Sequence, residues 1–196
     1  MNLARILYPV QVLGPGKRIG LWLCGCSRAC KGCSNPELWQ QRPESEVTVD
    51  EVLSLIHRIT SVHLADGFTI SGGEPMDQAS ELAVLLREIH KTSDDILIYT
   101  GYRLEELRER YDERTDEVLT YSAVVIDGAY VEEKNDNVLL RGSSNQQIHI
   151  MNSAMEDRYK EYLSGAHNQI QNFTTSDGVV SVGIHDRNWK QYGGAQ

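Results

Sequence analysis

The stretch CGCSRACKGC, residues 24–33, contains all four cysteines of the 196-residue chain. Within it Cys26, Cys30 and Cys33 follow a CxxxCxxC spacing, which places three thiolates on one short loop. Iron–sulfur clusters are normally held by cysteine thiolates, and three protein ligands leave one iron of a four-iron cluster open. The spacing therefore predicts a cluster-binding loop with one coordination position available to a group that is not protein.

Other roles for these cysteines fit the spacing less well. A zinc site uses four ligands, commonly in two CxxC pairs or with histidines, and CxCxxxCxxC matches no common zinc knuckle even when Cys24 is counted. Disulfide frameworks are typical of small secreted domains, which this chain does not resemble in length or cysteine content. Cys24 ends the apolar run of residues 19–24, so we predict that it is a small buried side chain.

Composition and length indicate one globular domain, with 40% hydrophobic and 24% charged residues. The formal net charge of -9 argues against a nucleic-acid partner, because such binding depends on clustered Lys and Arg. No apolar run approaches the roughly 20 residues of a membrane helix, so no membrane partner is expected. The first residues include Arg5 and Pro9 and lack the apolar core of a signal peptide, which leads us to expect a reducing cytoplasm.

Apolar patterning predicts strands that alternate with helices. Thr48 and Glu51 form a capping box, after which Val52, Leu55, Ile56 and Ile59 mark one face of a helix. Further helical segments are predicted at residues 35–37, 82–89, 103–110 and 154–163. Strands are predicted at residues 6–13, 19–23, 67–71, 96–100, 124–126 and 138–140. A hairpin is predicted from residues 171–174 and 179–184, which flank Ser176, Asp177 and Gly178.

The alternation of strands and helices predicts an α/β fold with a mostly parallel sheet. In such folds functional residues gather in the loops at the carboxyl ends of the strands. Four segments that follow predicted strands are therefore expected to share one site: the cysteine loop and residues 71–75, 100–102 and 127–128. The chain is shorter than the about 250 residues of a full eight-unit barrel, so we expect an open partial barrel.

The motifs together resemble a known family. CxxxCxxC is the cluster motif of radical S-adenosylmethionine (SAM) enzymes, and this chain is similar to one subgroup, the activating proteins of the anaerobic (class III) ribonucleotide reductase. Gly32 before the third cysteine agrees with that subgroup, whereas Ser34 stands where the subgroup often carries Tyr. The similar segments lie in order over residues 1 to about 150 and are Tyr8-Pro9-Val10, Gly14-Pro15-Gly16, Gly25-Cys26, Gly32-Cys33, Asn35, Trp39, Ser71-Gly72-Gly73-Glu74-Pro75, Tyr99-Thr100-Gly101-Tyr102, Asp127-Gly128 and Gly142-Ser143-Ser144-Asn145-Gln146.

The resemblance implies an open partial (βα) barrel of the radical SAM type in a single domain, residues 1–196, with an activase-like core at 1–152 and a helix-and-hairpin extension at 153–196. It also implies a [4Fe-4S] cluster on Cys26, Cys30 and Cys33, with S-adenosyl-L-methionine chelating the open iron. Thr100 and Asp127 either contact SAM or cap helices and bind backbone. The remaining contacts implied for SAM come from Gly72, Gly73 and Glu74 at the methionine end and from the backbone of Gly32, Cys33 and Ser34 at the adenine.

The function that the resemblance implies is activation of the anaerobic ribonucleotide reductase, a glycyl radical protein. One electron from a flavodoxin-like donor would reach SAM through the cluster, and the resulting 5′-deoxyadenosyl radical would remove a hydrogen atom from a glycine of the reductase. Two alternatives remain open at this point. The chain could instead be an activase of another glycyl radical enzyme or a radical SAM peptide-modifying enzyme, or a non-catalytic zinc or iron–sulfur binding module.

Overall fold

Six strands form one sheet in the computed structural model, which describes residues 1–110, 112–165, 168–176 and 178–186. Strands β2 to β5 are parallel, while β1 and β6 are antiparallel to their neighbours at the two edges. This arrangement confirms the α/β class and the mostly parallel sheet. In chain order, which is also the order in the sheet, the strands are β1 (Leu3–Val10), β2 (Arg18–Leu23), β3 (Gly67–Gly72), β4 (Ile96–Tyr99), β5 (Val124–Asp127) and β6 (Gln147–Ile150).

Helices connect the parallel strands. The predicted capping box at the start of the first helix is present, since the Glu51 N–H donates to Thr48 Oγ1 and the Thr48 N–H donates to Glu51 Oε2. Among the described residues, no helix is both long enough and apolar enough to cross a membrane. The helices between strands are α1 (Val49–Thr60) before β3, α2 (Ala79–Ile89) before β4, and α3 (Leu104–Glu109) and α4 (Glu113–Tyr121) before β5.

The side chains of the sheet alternate between two apolar layers. One layer packs against α1 to α4 and includes Leu21, Ile70 and Ile98 together with Ile56 and Leu86 of the helices. Full burial of a side chain of this size contributes about 1.5 to 3 kcal/mol each, so this layer is the main source of stability. We call the opposite side of the sheet, which carries Trp22, Leu97 and Ile126, the inner face.

The C-terminal segment covers the inner face. It consists of α5 (Glu156–Leu163) and an antiparallel hairpin of β7 (Ile170–Thr175) and β8 (Gly178–Gly183). Tyr159 of α5 is fully buried with Leu97 and Ile126, and Val182 of β8 packs with Trp22. The predicted helix and hairpin are thus confirmed. Asp177 of the predicted turn and residues 187–196 of the predicted extension lie outside the described residues.

A buried ionic network joins the C-terminal segment to the amino-terminal ends of β2 and β4. The Arg18 guanidinium donates to both carboxylate oxygens of Asp95, with N···O distances of 2.9 and 3.0 Å, and its Nε donates to Thr69 Oγ1 at 2.7 Å. The Tyr159 hydroxyl donates to Asp95 Oδ1 at 2.6 Å. Arg18 and Asp95 are almost completely buried, so their charges need this full set of partners.

The predicted strand at residues 138–140 is wrong. Leu139 and Leu140 form a turn, and Leu140 has a φ of +66°. The Asn168 side chain supplies the hydrogen-bond partners that a neighbouring strand would give, because it accepts from the Leu140 N–H and donates to the Val138 carbonyl. Strand β6 and helix α4 were not predicted.

We expect Tyr159→Phe to lower the free energy of unfolding by about 1.5 to 3 kcal/mol, because it removes a hydrogen bond to a buried charged group. Urea denaturation of the full chain measures this change. The matched control is Tyr162→Phe on the same helix, whose hydroxyl accepts from the Gly14 N–H at 3.4 Å and has no other hydrogen-bond partner among the described residues. Equal losses in the two variants would contradict the role given to the network.

Candidate functional site

The cysteine loop begins where β2 ends, at the carboxyl edge of the sheet. Its first residues are fixed by backbone hydrogen bonds, from the Gly25 N–H to the Leu38 carbonyl and from the Cys26 N–H to the Trp39 carbonyl, both 2.9 Å. Leu38 ends a 3-10 helix over Pro36–Leu38, as the sequence predicted for this turn. The cysteine loop therefore begins and ends at the same position on the carboxyl edge of the sheet.

Gly73 and Gly72 allow the turn after β3 to touch the cysteine loop. The Gly73 N–H donates to the Leu23 carbonyl at 2.8 Å, and the Glu74 N–H donates to the Gly25 carbonyl at 2.7 Å. A Cβ atom on Gly73 would lie 2.0 Å from the Gly25 oxygen, and one on Gly72, which has a φ of +116°, would lie 2.3 Å from Leu23 N. Both positions require glycine because backbone meets backbone here.

Glu74 joins the loops after β3 and β4. Its side chain is 1% exposed, and its carboxylate accepts from Thr100 Oγ1 at 2.7 Å, Gly101 N–H at 2.6 Å and Met76 N–H at 3.0 Å. Burial raises the pKa of Glu74, and these hydrogen bonds oppose the shift. Of the two oxygens, Oε1 accepts two of these hydrogen bonds and Oε2 accepts one.

Asp127 is fully buried at the end of β5. It accepts from the Leu104 N–H at 2.8 Å, at the start of α3, and from the Gln147 N–H at 3.1 Å. The sequence alone leaves open whether Asp127 and Thr100 cap helices and bind backbone or contact a ligand. Both make contacts within the protein, and their contact with SAM stays a prediction.

The four segments expected to share a site do meet at this edge. Glu74 contacts the cysteine loop and the loop after β4, and the Gly128 N–H donates to the Tyr102 carbonyl at 2.9 Å. The loop at residues 142–146 joins them, because Gln146 Nε2 donates to the Gly128 carbonyl and Asn145 Nδ2 to the Ala129 carbonyl, both 2.8 Å. The loop at residues 142–146 thus holds the segment that follows β5 in place.

The three spaced cysteines are half-buried, and all four cysteines of the chain are free thiols. Cys24, in contrast, is fully buried on the inner face, as predicted. Burial raises the pKa of the Cys33 thiol, and the N–H groups of Asn35 and Trp39 that face its sulfur act in the opposite direction. Cys26 and Cys30 also raise this pKa, because a thiolate at Cys33 is disfavoured by negative charge on its neighbours.

The residues of the loop fit an iron–sulfur cluster. Trp39 Nε1 is buried and has no hydrogen-bond partner in the part of the chain that the structure describes, yet it faces the Cys33 thiol. A cluster sulfide or cysteine thiolate is an acceptor for such an N–H group. Within the described ranges no three His, Cys, Asp or Glu side chains could hold one metal ion, whereas a cubane cluster binds each cysteine to a different iron.

The backbone of Gly32, Cys33 and Ser34 forms the outer part of the loop. Gly32 and Ser34 are exposed, and Gly32 has a φ of +76°. A Cβ atom on Gly32 would lie 2.9 Å from the Glu132 carboxyl carbon, so the loop packs closely against the segment after β5. A contact of these residues with adenine stays a prediction.

Asp77 and Gln78 both contact the cysteine loop, although no sequence pattern predicts a role for either of them. Gln78 Nε2 donates to the Cys24 carbonyl at 2.8 Å, and Asp77 accepts from Ser27. Both follow the Gly-Gly-Glu-Pro turn in the 3-10 helix Pro75–Gln78. Their position next to that turn was the only available signal, since a polar residue in a turn has no distinctive pattern.

Comparison with known proteins shows which class of protein the chain is similar to. Residues 12–149 match the family model described as a 4Fe-4S single cluster domain. The chain is also similar to proteins named anaerobic ribonucleoside-triphosphate reductase-activating protein. The relative from Vibrio cholerae serotype O1 is 37% identical over 149 residues, which is 72% of this chain and 94% of the relative.

Two further relatives with that name extend the comparison. The protein of Haemophilus influenzae is 35% identical over 152 residues, 72% of this chain and 94% of the relative. The protein of Enterobacteria phage T4 is 33% identical over 153 residues, 76% of this chain and 93% of the relative. The chain therefore belongs to the family of anaerobic ribonucleoside-triphosphate reductase-activating proteins.

We expect Gly73→Ala to lower the free energy of unfolding by about 1 to 3 kcal/mol, because the added methyl group forces the turn away from Gly25. Urea denaturation again provides the measurement. Gly165→Ala serves as the control, since its Cβ would meet its nearest atom, the Tyr162 carbonyl oxygen, at 3.1 Å. A Gly73 variant as stable as the unsubstituted chain would show that the two loops do not need this contact.

Proposed function

We propose that this chain activates an anaerobic ribonucleotide reductase by means of a [4Fe-4S] cluster and S-adenosyl-L-methionine. The observation that carries the proposal is the loop of three half-buried free thiols, one of which faces the buried Trp39 N–H group, in a chain of the activating-protein family. When bound, the cluster and SAM would supply one-electron reductive cleavage of a carbon–sulfur bond of SAM, with the electron from an external donor, and removal of a hydrogen atom from a glycine of the reductase.

The residues of the loop would hold and orient the cluster. Cys26, Cys30 and Cys33 would each bind one iron, and the Trp39 N–H would donate to a sulfur atom near Cys33. Backbone hydrogen bonds to residues 38 and 39 fix the start of the loop before any cofactor binds. Such a preformed loop lowers the conformational entropy lost when the cluster binds.

SAM would lie next to the open iron. Gly72, Gly73 and Glu74 are adjacent to the cysteine loop, and the second acceptor position of Glu74 Oε2 is suited to the SAM ammonium group. The backbone of residues 32–34 would contact the adenine. Thr100 would act on SAM indirectly, because it donates a hydrogen bond to Glu74. Asp127 would also act indirectly, because it accepts from the Leu104 N–H and so holds the loop between β4 and α3.

The fold that we propose around this site is the open partial barrel of radical SAM enzymes. Its support is the run of four parallel strands, β2 to β5, with the site at their carboxyl ends. We treat residues 1–196 as a single domain of a core, 1–152, and an extension, 153–196, because the described part of the extension shares the apolar layers of the inner face.

The reductase would approach the exposed outer part of the cysteine loop. Ser27, Gly32 and Ser34 are all exposed, so a peptide segment of another protein can reach this edge. The proposed chemistry also requires an electron donor, for which a flavodoxin-like protein of a reducing cytoplasm is the candidate.

The test is to reconstitute the full chain with iron and sulfide without oxygen and to add a reductant, SAM and a class III reductase. We expect 5′-deoxyadenosine to form and a glycyl radical signal to appear in electron paramagnetic resonance. Formation of 5′-deoxyadenosine without a radical on any class III reductase would favour another glycyl radical enzyme or a peptide as the target. One zinc per chain with no iron uptake would rule out the enzymatic function.

Single alanine variants test the ligand set. We expect Cys26→Ala, Cys30→Ala and Cys33→Ala each to abolish 5′-deoxyadenosine formation, because the cluster loses one of its three ligands. Cys24→Ala is the control, and we expect it to retain most of the activity, since Cys24 is buried on the inner face. Activity in one of the first three variants, with loss in the fourth, would show that the ligand set has been chosen wrongly.

A further inference from the structure

We infer that Asp77 is a positioning residue that fixes the conformation of the cluster-binding loop between Cys26 and Cys30. The inference rests on the function proposed above and extends it to a residue outside the cysteine motif. Asp77 lies in the 3-10 helix after β3, on a different element from the loop that it holds.

The contacts of Asp77 are directed to the loop. The Ser27 N–H donates to Asp77 Oδ2 at 2.8 Å, and Ser27 Oγ donates to Oδ1 at 3.0 Å. The Tyr102 hydroxyl also donates to Oδ1, at 2.9 Å. Asp77 is exposed, so the apolar core does not require it, and within the described residues these hydrogen bonds are the ones its carboxylate makes.

Tyr102, which lies in the loop after β4, contacts both Asp77 and Ser27. Its hydroxyl lies 3.2 Å from Ser27 Oγ, which completes a triangle of Ser27, Asp77 and Tyr102. The guanidinium carbons of Arg28 and Arg110 both lie 3.8 Å from the centroid of the Tyr102 ring. Arg28 is the residue after Ser27, so two consecutive residues of the loop are held by the same partner.

The contacts of Asp77 and Tyr102 act on the segment between two of the predicted cluster ligands. Ser27 and Arg28 are two of the three residues between Cys26 and Cys30, and the third, Ala29, has a φ of +43°. This conformation is unfavourable for a residue with a Cβ atom and persists only where neighbouring contacts impose it. Hydrogen bonds from Ser27 to a carboxylate are charge-assisted and supply that constraint.

The test compares Asp77→Ala with the unsubstituted full chain. In the metal-free protein we expect the Ser27 amide to exchange its hydrogen about tenfold faster, the factor for loss of one hydrogen bond to a charged group. In the reconstituted protein we expect an iron chelator to remove iron faster by a similar factor. The thermal midpoint should fall by no more than the few degrees that correspond to this tenfold factor, whereas faster loss of iron is a change that a merely structural role of Asp77 would not produce.

Three further variants refine the result. Tyr102→Phe removes one hydrogen bond and keeps the ring, so its effect should be smaller than that of Asp77→Ala. Asp77→Asn keeps one acceptor for the Ser27 N–H and should restore part of the protection. Glu81→Ala, at an exposed carboxylate on α2, is the control and should change neither rate.

The outcomes separate this inference from the proposed function. Unchanged exchange of the Ser27 amide in Asp77→Ala would overturn the positioning role, even if the unsubstituted chain binds a cluster and cleaves SAM. If the unsubstituted chain binds no cluster, the proposed function fails, and amide exchange in the metal-free chain alone then decides whether Asp77 fixes the loop.

Discussion

The site depends on the buried carboxylate of Glu74. Its backbone N–H binds the cysteine loop at Gly25, and its side chain accepts from Thr100 and Gly101 in the loop after β4. A buried carboxylate is costly unless donors surround it, so the loops that provide those donors cannot separate without exposing an unpaired charge. This one residue, through its backbone N–H and its carboxylate together, therefore sets the spacing between the carboxyl ends of β2, β3 and β4, on which the shape of the site depends.

Much of the fold could be predicted because its determinants are local. The capping box at Thr48, the helical periodicity of α1 and α2, and the apolar runs of β2 to β5 are properties of neighbouring residues. Helix α4 was missed because only Thr115, Val118 and Leu119 of its nine residues are buried, which is too few to show periodicity. The strand predicted at residues 138–140 failed because Asn168, distant in sequence, binds that backbone instead.

In the candidate site too, features that depend on neighbouring residues could be predicted and those that depend on distant residues could not. The close approach that requires glycine at 72 and 73 is a local constraint, so it is visible in the sequence. The spacing of the cysteines is visible in the same way, and the ligation that it indicates stays a prediction. Asp77 and Gln78 were not visible, because what they do depends on which loop lies opposite them in the folded chain. The Trp39 N–H group became informative only once its burial was known.

The match to the family model ends at residue 149, yet the inner face is completed by residues beyond it. Trp22 and Cys24, which lead into the cysteine loop, pack in the same cluster as Val182 near the other end of the chain. A chain without β8 leaves Trp22 and Cys24 exposed to water, so the start of the cysteine loop reaches its final packing only after Val182 has been synthesised.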